Sequence, residues 1–163
     1  LSLLEDCIRR ISEKYGVQIY LEPGEACALN AGFLVTRVLD IVQNGDTKIA
    51  ILDTSAACHT PDVIEMPYRP PLYGADETGV LSHTYRLAGP TCLAGDVIGD
   101  YSFPQPLQEG SLLVFGDMAI YTTCKNNTFN GMPLPSIYAR RQNRTTLLAR
   151  FSYSDFKSRL GHL

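Results

Sequence analysis

The sequence predicts a mainly β chain that opens with a piece of an α/β unit. Three observations carry this. A helix-period stretch at the amino end runs, after one glycine, into a short β-rich segment. Beyond it, short β-rich runs recur, separated by Gly, Pro and Asn turns. No internal repeat, low-complexity tract or long apolar run competes with that reading. The organisation expected is an α/β remnant over residues 1–34 and a β domain over residues 35–163.

Each element has its own signal. Ser2-Leu3-Leu4-Glu5 has the form of a capping box, with Leu4, Ile8, Ile11 and Tyr15 following at helical spacing. Gly16 stands where such a helix ends. Residues 17–21 (Val-Gln-Ile-Tyr-Leu) predict a short strand. In α/β units, ligand-binding residues lie just past the carboxyl ends of strands, which here means Glu22-Pro23-Gly24-Glu25. Residues 26–34 predict a short helix. Residues 35–43 and 48–52 predict a hairpin turned at Asn44-Gly45-Asp46. Four prolines between Pro61 and Pro71 mark a turn-rich crossing. Further strands are expected over 84–88, 111–115, 119–123 and 145–153, and a last helical turn or two over 155–160.

Composition excludes several classes. A net charge of -3 gives no basis for nucleic acid or an anionic membrane as partner. No apolar run approaches the roughly 20 residues that span a bilayer, and no secretory signal opens the chain. A cytoplasmic location is therefore expected, with Cys7, Cys27, Cys58, Cys92 and Cys124 as reduced thiols. Their spacing fits no metal site, so no metal is expected. Asn126 and Asn143 begin glycosylation-type tripeptides that read as chance without a secretory signal. The start at Leu1 leads us to expect a fragment of something longer.

Three stretches carry candidate chemistry. Gly89-Pro90-Thr91-Cys92-Leu93-Ala94-Gly95-Asp96 makes a rigid, tightly turning loop that can hold a thiol at a fixed point. The plainer alternative makes Cys92 a small buried hydrophobe. Gly116-Asp117-Met118-Ala119-Ile120-Tyr121 sets a phenol just beyond a turn, as a phosphate ligand or a core aromatic. Thr128-Phe129-Asn130-Gly131 places an aromatic beside a third turn.

With Glu22-Pro23-Gly24, these motifs in this order resemble the carboxyl half of the fold-type III pyridoxal-phosphate decarboxylases. That family includes ornithine, diaminopimelate and carboxynorspermidine decarboxylases. The resemblance runs from about Val17 to the C-terminus. The wording around Cys92, Glu65-Met66-Pro67-Tyr68-Arg69-Pro70 and Lys125-Asn126-Asn127-Thr128-Phe129-Asn130-Gly131 is most similar to the carboxynorspermidine (carboxyspermidine) decarboxylases. It implies the last helix–strand piece of a (β/α)8 barrel, followed by a β-barrel or sandwich-like domain. It further implies pyridoxal 5'-phosphate as cofactor, a polyamine-type substrate and a homodimer with the active site at the subunit interface.

The resemblance also implies roles. Glu22 would hydrogen-bond the cofactor's pyridine nitrogen, while Gly24 and Tyr121 would hold its phosphate. Cys92 would return a proton to the substrate carbon, serving the partner subunit's cofactor. Glu65, thirteenth counting from Asp53, would meet the substrate's far amine, or else be a solvated turn acid. Apart from the resemblance, His59 follows Cys58 in a loop and reads as lining the substrate pocket, or else as a satisfied loop histidine. Arg140, Arg141 and Arg144 read as a solvated face or dimer contact.

Three departures stand out. Glu25 replaces an arginine common in relatives, and Leu93 replaces an acid after the cysteine. The family's Schiff-base lysine lies before Leu1, and none of Lys14, Lys48, Lys125 or Lys157 stands in a matching context, so the isolated chain is expected to be inactive. A diaminopimelate- or ornithine-type decarboxylase is the nearest alternative, and a catalytically inactive partner-binding homologue is the alternative of another class.

Overall fold

The computed structural model describes residues 1–161, and the helix-period stretch is helix α1 (Ser2–Tyr15). Gly16 ends it in a left-handed conformation (φ 64°), its N–H donating to the Ser12 carbonyl at 2.9 Å. Glycine tolerates that φ without strain. The expected capping box is absent. Leu1 is the N-cap and Ser2 is already helical, so the serine sits one position too late to cap. None of the α1 residues is buried, and its apolar face (Leu4, Ile11, Tyr15) is open.

The strand expected over residues 17–21 does not form: none of the described residues offers it a ladder. The helix expected over 26–34 is shorter and earlier, as α2 (Gly24–Ala28). Asn30 then turns the chain with φ 58°, freeing Leu34 to enter the sheet.

Strand β1 (Leu34–Asn44) and β2 (Thr47–Leu52) make the expected hairpin, with Asn44 opposite Thr47 across Gly45-Asp46. At the start of β1, Leu34, Thr36 and Val38 are buried and their neighbours exposed, the period-2 signature of a half-buried strand. The crossing that follows contains two helical turns, α3 (Ala56–His59) and α4 (Asp62–Glu65). It leads to β3 (His83–Ala88), which pairs parallel with β2. Strand β4 (Val97–Phe103) and β5 (Leu112–Phe115) occupy the two edges, in the order β4-β3-β2-β1-β5.

One segment of that crossing curls the sheet toward a barrel. Leu72 bridges Phe115 on β5, and four residues later Asp76 bridges Ser102 on β4. The same short stretch therefore covers both edges and satisfies backbone groups an open sheet would leave bare. Inside, the Tyr101 and Phe115 rings meet edge to face at 6.2 Å, and the Tyr101 hydroxyl donates to the Pro70 carbonyl at 2.7 Å. Val38, Ala50, Leu52, Leu87 and Ile98 complete a core from which water is excluded.

Outside it, β6 (Ile137–Arg141) and β7 (Arg144–Ala149) form a separate hairpin turned through two left-handed residues, Gln142 and Asn143. The run expected to be a strand over 145–153 thus ends at Ala149. The chain closes with α5 (Tyr153–Arg159), capped by a Ser152/Asp155 box. No strand forms over 119–123; Tyr121 instead turns the chain with φ 59°. No helix among the described residues is long and apolar enough to cross a membrane.

Candidate active site

The loop carrying Cys92 is built on a buried carboxylate. Asp96, only 4% exposed, accepts through Oδ2 from the Thr91 N–H (3.1 Å) and hydroxyl (2.6 Å). Its Oδ1 accepts from the Ser55 hydroxyl (3.0 Å) and the Ala56 N–H (2.6 Å) at the start of α3. N–H and O–H donors thus spread a charge that forms no ion pair among the described residues. Gly89 is required beside it, because a Cβ there would overlap the Asp96 carboxylate. The consequence is that Cys92 is exposed on a turn fixed at both ends, rather than packed as a small hydrophobe.

A second loop reaches the same thiol. Asn127 is tied to α3 by its N–H to the Cys58 carbonyl (3.1 Å) and its amide to the Ala57 carbonyl (2.7 Å). Buried Cys58 points its thiol at the Phe129 carbonyl, 3.5 Å away, and burial pushes that thiol's pKa up. These contacts hold residues 127–131 against the Cys92 turn, where the Cys92 thiol donates to Asn130 Oδ1 at 3.4 Å. Asn130 adopts a left-handed φ of 57°, a conformation asparagine tolerates better than most residues.

His59 supports this pair of loops from beneath. Its Nδ1 accepts from the Ser55 N–H (3.1 Å), so Nε2 carries the hydrogen and donates to the Pro133 carbonyl (3.0 Å). The ring is 2% exposed and burial lowers its pKa. Both ring nitrogens are thus engaged within the fold.

The amino-terminal arm is tethered to the third turn. Asp117 Oδ1 accepts from the Asn30 N–H at 3.1 Å, and the Met118 N–H donates to the Gly32 carbonyl at 2.9 Å. The arm bearing Glu22 and Gly24 is thereby held to the turn bearing Tyr121. Glu22 and Gly24 are exposed, with open space where a Gly24 Cβ would lie. Tyr121 is half exposed, so it is not the core aromatic of the alternative reading. Glu65 projects from α4 and accepts from Lys125 Nζ at 2.9 Å.

Cys92, Glu22, Gly24, Tyr121 and Glu65 are each exposed, whereas His59 is buried. A cleft of about 650 Å³ lined by Tyr68, Arg69, Arg86 and Asp100 contains none of them. Sequence reasoning missed the residues that position the site, namely Asp96, Asn127, Asn130 and Lys125. All four stand inside the motifs above, but each has a partner dozens of residues away: Ser55, Ala57, Cys92 and Glu65.

A curled mixed sheet thus carries loops that present a fixed thiol and a half-exposed tyrosine, beside an arm with an open acid. Residues 11–119 match the family described as pyridoxal-dependent decarboxylase, C-terminal sheet domain, and the chain belongs to that family. Among its relatives, the carboxynorspermidine/carboxyspermidine decarboxylase of Campylobacter jejuni is 44% identical over 93% of this chain and 42% of its own. The carboxyaminopropylagmatine decarboxylase of Synechocystis is 44% identical over 89% of this chain and 38% of its own. The chain thus spans about two fifths of the length of these relatives. The crystal structure of the Campylobacter jejuni carboxynorspermidine decarboxylase with norspermidine superimposes with a TM-score of 0.82 at 43% identity, covering 96% of this chain and 46% of that one. A diaminopimelate decarboxylase structure at 19% identity shares the fold, with a TM-score of 0.77.

Proposed function

We propose that this chain is the carboxyl-terminal part of a pyridoxal-phosphate-dependent decarboxylase. It converts carboxynorspermidine or carboxyspermidine to norspermidine or spermidine. Residues 1–34 belong to the cofactor-binding barrel and residues 35–163 to the β domain. The observation that carries the reading is the Cys92 turn: a buried anion and an obligatory glycine fix an exposed thiol in place. A residue needed only for packing would not be held out of the core.

The donor set fits the cofactor. Glu22 offers an open carboxylate for a pyridine nitrogen, and Gly24 and the Tyr121 hydroxyl offer space and a donor for a phosphate. When bound, pyridoxal phosphate supplies an electron sink that lets the substrate's carboxylate leave as CO2. Cys92 then delivers its proton to the carbon that lost CO2, acting on the partner subunit's substrate. Glu65 faces the far amine, where a carboxylate favours a cation. None of Lys14, Lys48, Lys125 or Lys157 is assigned the role of the cofactor-binding lysine in this reading.

A carboxyaminopropylagmatine substrate is the second reading, supported by the equal identity of the Synechocystis relative. Half-exposed Leu93, at 41%, stands against a diaminopimelate-type substrate, whose distal end carries a carboxylate as well as an amine. The test is CO2 release by the complete protein from carboxynorspermidine, carboxyaminopropylagmatine and diaminopimelate. The highest kcat/KM is expected on carboxynorspermidine, and preference for diaminopimelate would overturn the proposal. Sedimentation should show the active form as a homodimer.

A further inference from the structure

Lys125 holds Tyr121 and also pairs with Glu65, 60 positions away in the sequence. Its backbone N–H donates to the Tyr121 carbonyl at 2.7 Å, and its ammonium lies 5.1 Å from the centre of the Tyr121 ring. Tyr121 has a left-handed backbone, costly for a bulky residue, and these two contacts help hold it there. The same ammonium reaches α4, donating to Asp62 Oδ1 at 2.5 Å and Glu65 Oε2 at 2.9 Å.

The two acids differ. The Asp62 side chain is 16% exposed and makes the shorter contact, whereas the Glu65 side chain is 57% exposed. Asp62 is thus placed as a lasting anchor and Glu65 as an exchangeable partner. Two carboxylates and one ammonium leave the cluster one net negative charge, enough to attract one cationic group. Both carboxylates hold the Lys125 pKa well above the usual ammonium range, so the charge persists at physiological pH. Solvent-exposed ion pairs contribute little to folding, so stability alone does not account for this arrangement.

We propose that Lys125 is a positioning and specificity-determining residue that holds Tyr121 toward the cofactor phosphate and competes with the substrate's distal cation for Glu65. The inference rests on the roles proposed above for Tyr121 and Glu65. Arrival of the substrate exchanges one ion pair for another: Glu65 leaves the ammonium of Lys125 for that of the ligand, while Asp62 keeps Lys125 in place. The grip on Tyr121 then survives substrate binding.

The test uses the complete protein loaded with pyridoxal phosphate. Lys125→Met should shift two constants in opposite senses. KM for carboxynorspermidine should fall about threefold, the size of one screened charge contact, because Glu65 loses its internal competitor. Release of pyridoxal phosphate, followed by absorbance without substrate, should become several-fold faster, and Lys125→Arg should restore both constants. An unchanged or raised KM would overturn the proposal, as would a change in KM with unaltered cofactor release. Glu65→Gln separates this failure from that of the underlying reading. If Glu65→Gln leaves KM unchanged, Glu65 does not meet the substrate, and both the role proposed for it and this inference fall. If it raises KM while Lys125→Met does not lower it, only the inference about Lys125 falls.

Discussion

The Asp96 carboxylate accepts the Thr91 hydroxyl at 2.6 Å while its other oxygen accepts the first N–H of α3. One buried anion thereby joins the turn bearing Cys92 to the platform that also anchors Asn127. An asparagine in its place keeps the shape but turns an acceptor into an NH2 group facing other donors. Asp96→Asn is expected to cost about 2–4 kcal/mol, since hydrogen bonds to a charged group are worth roughly 1.5–3 kcal/mol each. Thermal or urea unfolding of the complete protein measures this.

Gly89 and Gly95 flank the same turn and should respond differently. A Cβ at position 89 would overlap the Asp96 carboxylate, whereas nothing lies within 4 Å of one at position 95. Gly89→Ala is expected to destabilise by about 1–3 kcal/mol through overpacking. Gly95→Ala should stay within about 0.5 kcal/mol of the parent. Equal effects in paired unfolding curves would contradict the obligatory role of Gly89.

His59 sets a pH dependence whose sign follows from its burial. Its pKa is lowered by desolvation, against the opposing pull of the Pro133 carbonyl and of Asp96 and Asp53. The unfolded chain therefore takes up a proton near pH ~6.5 that the folded protein resists. The His59 contribution is fully present above that pH and declines as pH falls below it. Stability measured from pH 7.5 to 5 should show this slope in the parent and a shallower one in His59→Gln.

Closure of the sheet can be probed at Tyr101. Its hydroxyl holds the Pro70 carbonyl next to the segment that bridges both sheet edges. Tyr101→Phe keeps the ring contact with Phe115 and removes only that bond. It should cost about 1 kcal/mol, read as a lower urea midpoint with an unchanged m-value.

Much of the framework was legible in the sequence where a period or a turn residue dictates the local shape. Helix α1, the β1–β2 hairpin, β3, β5 and α5 stand close to where their patterns place them. Strand β4 was not foreseen, because Gly99 and Asp100 break its apolar run. Residues 119–123 have strand-like composition, yet Tyr121 turns left-handed with Lys125 bonded to its carbonyl. Residues 17–21 have β propensity but no strand beside them among those described. For the site, motif resemblance singled out Cys92, Tyr121 and Glu65. The partners that set their environment could not be read, because Cys92–Asn130 and Glu65–Lys125 are separated by 38 and 60 positions. Only the closed fold brings such pairs together.

The central claim is that the Asp96-anchored turn presents Cys92 as a proton donor. Its most direct test is the product ratio of Cys92→Ala in the complete enzyme, measured with carboxynorspermidine as substrate. A positioned acid is worth about 10²–10⁴-fold in rate, and without it the proton reaches the wrong atom more often. Turnover is expected to fall by about that factor, with a rising fraction of aldehyde product and loss of cofactor as its amine form. Parental turnover with clean norspermidine as the product would contradict the claim.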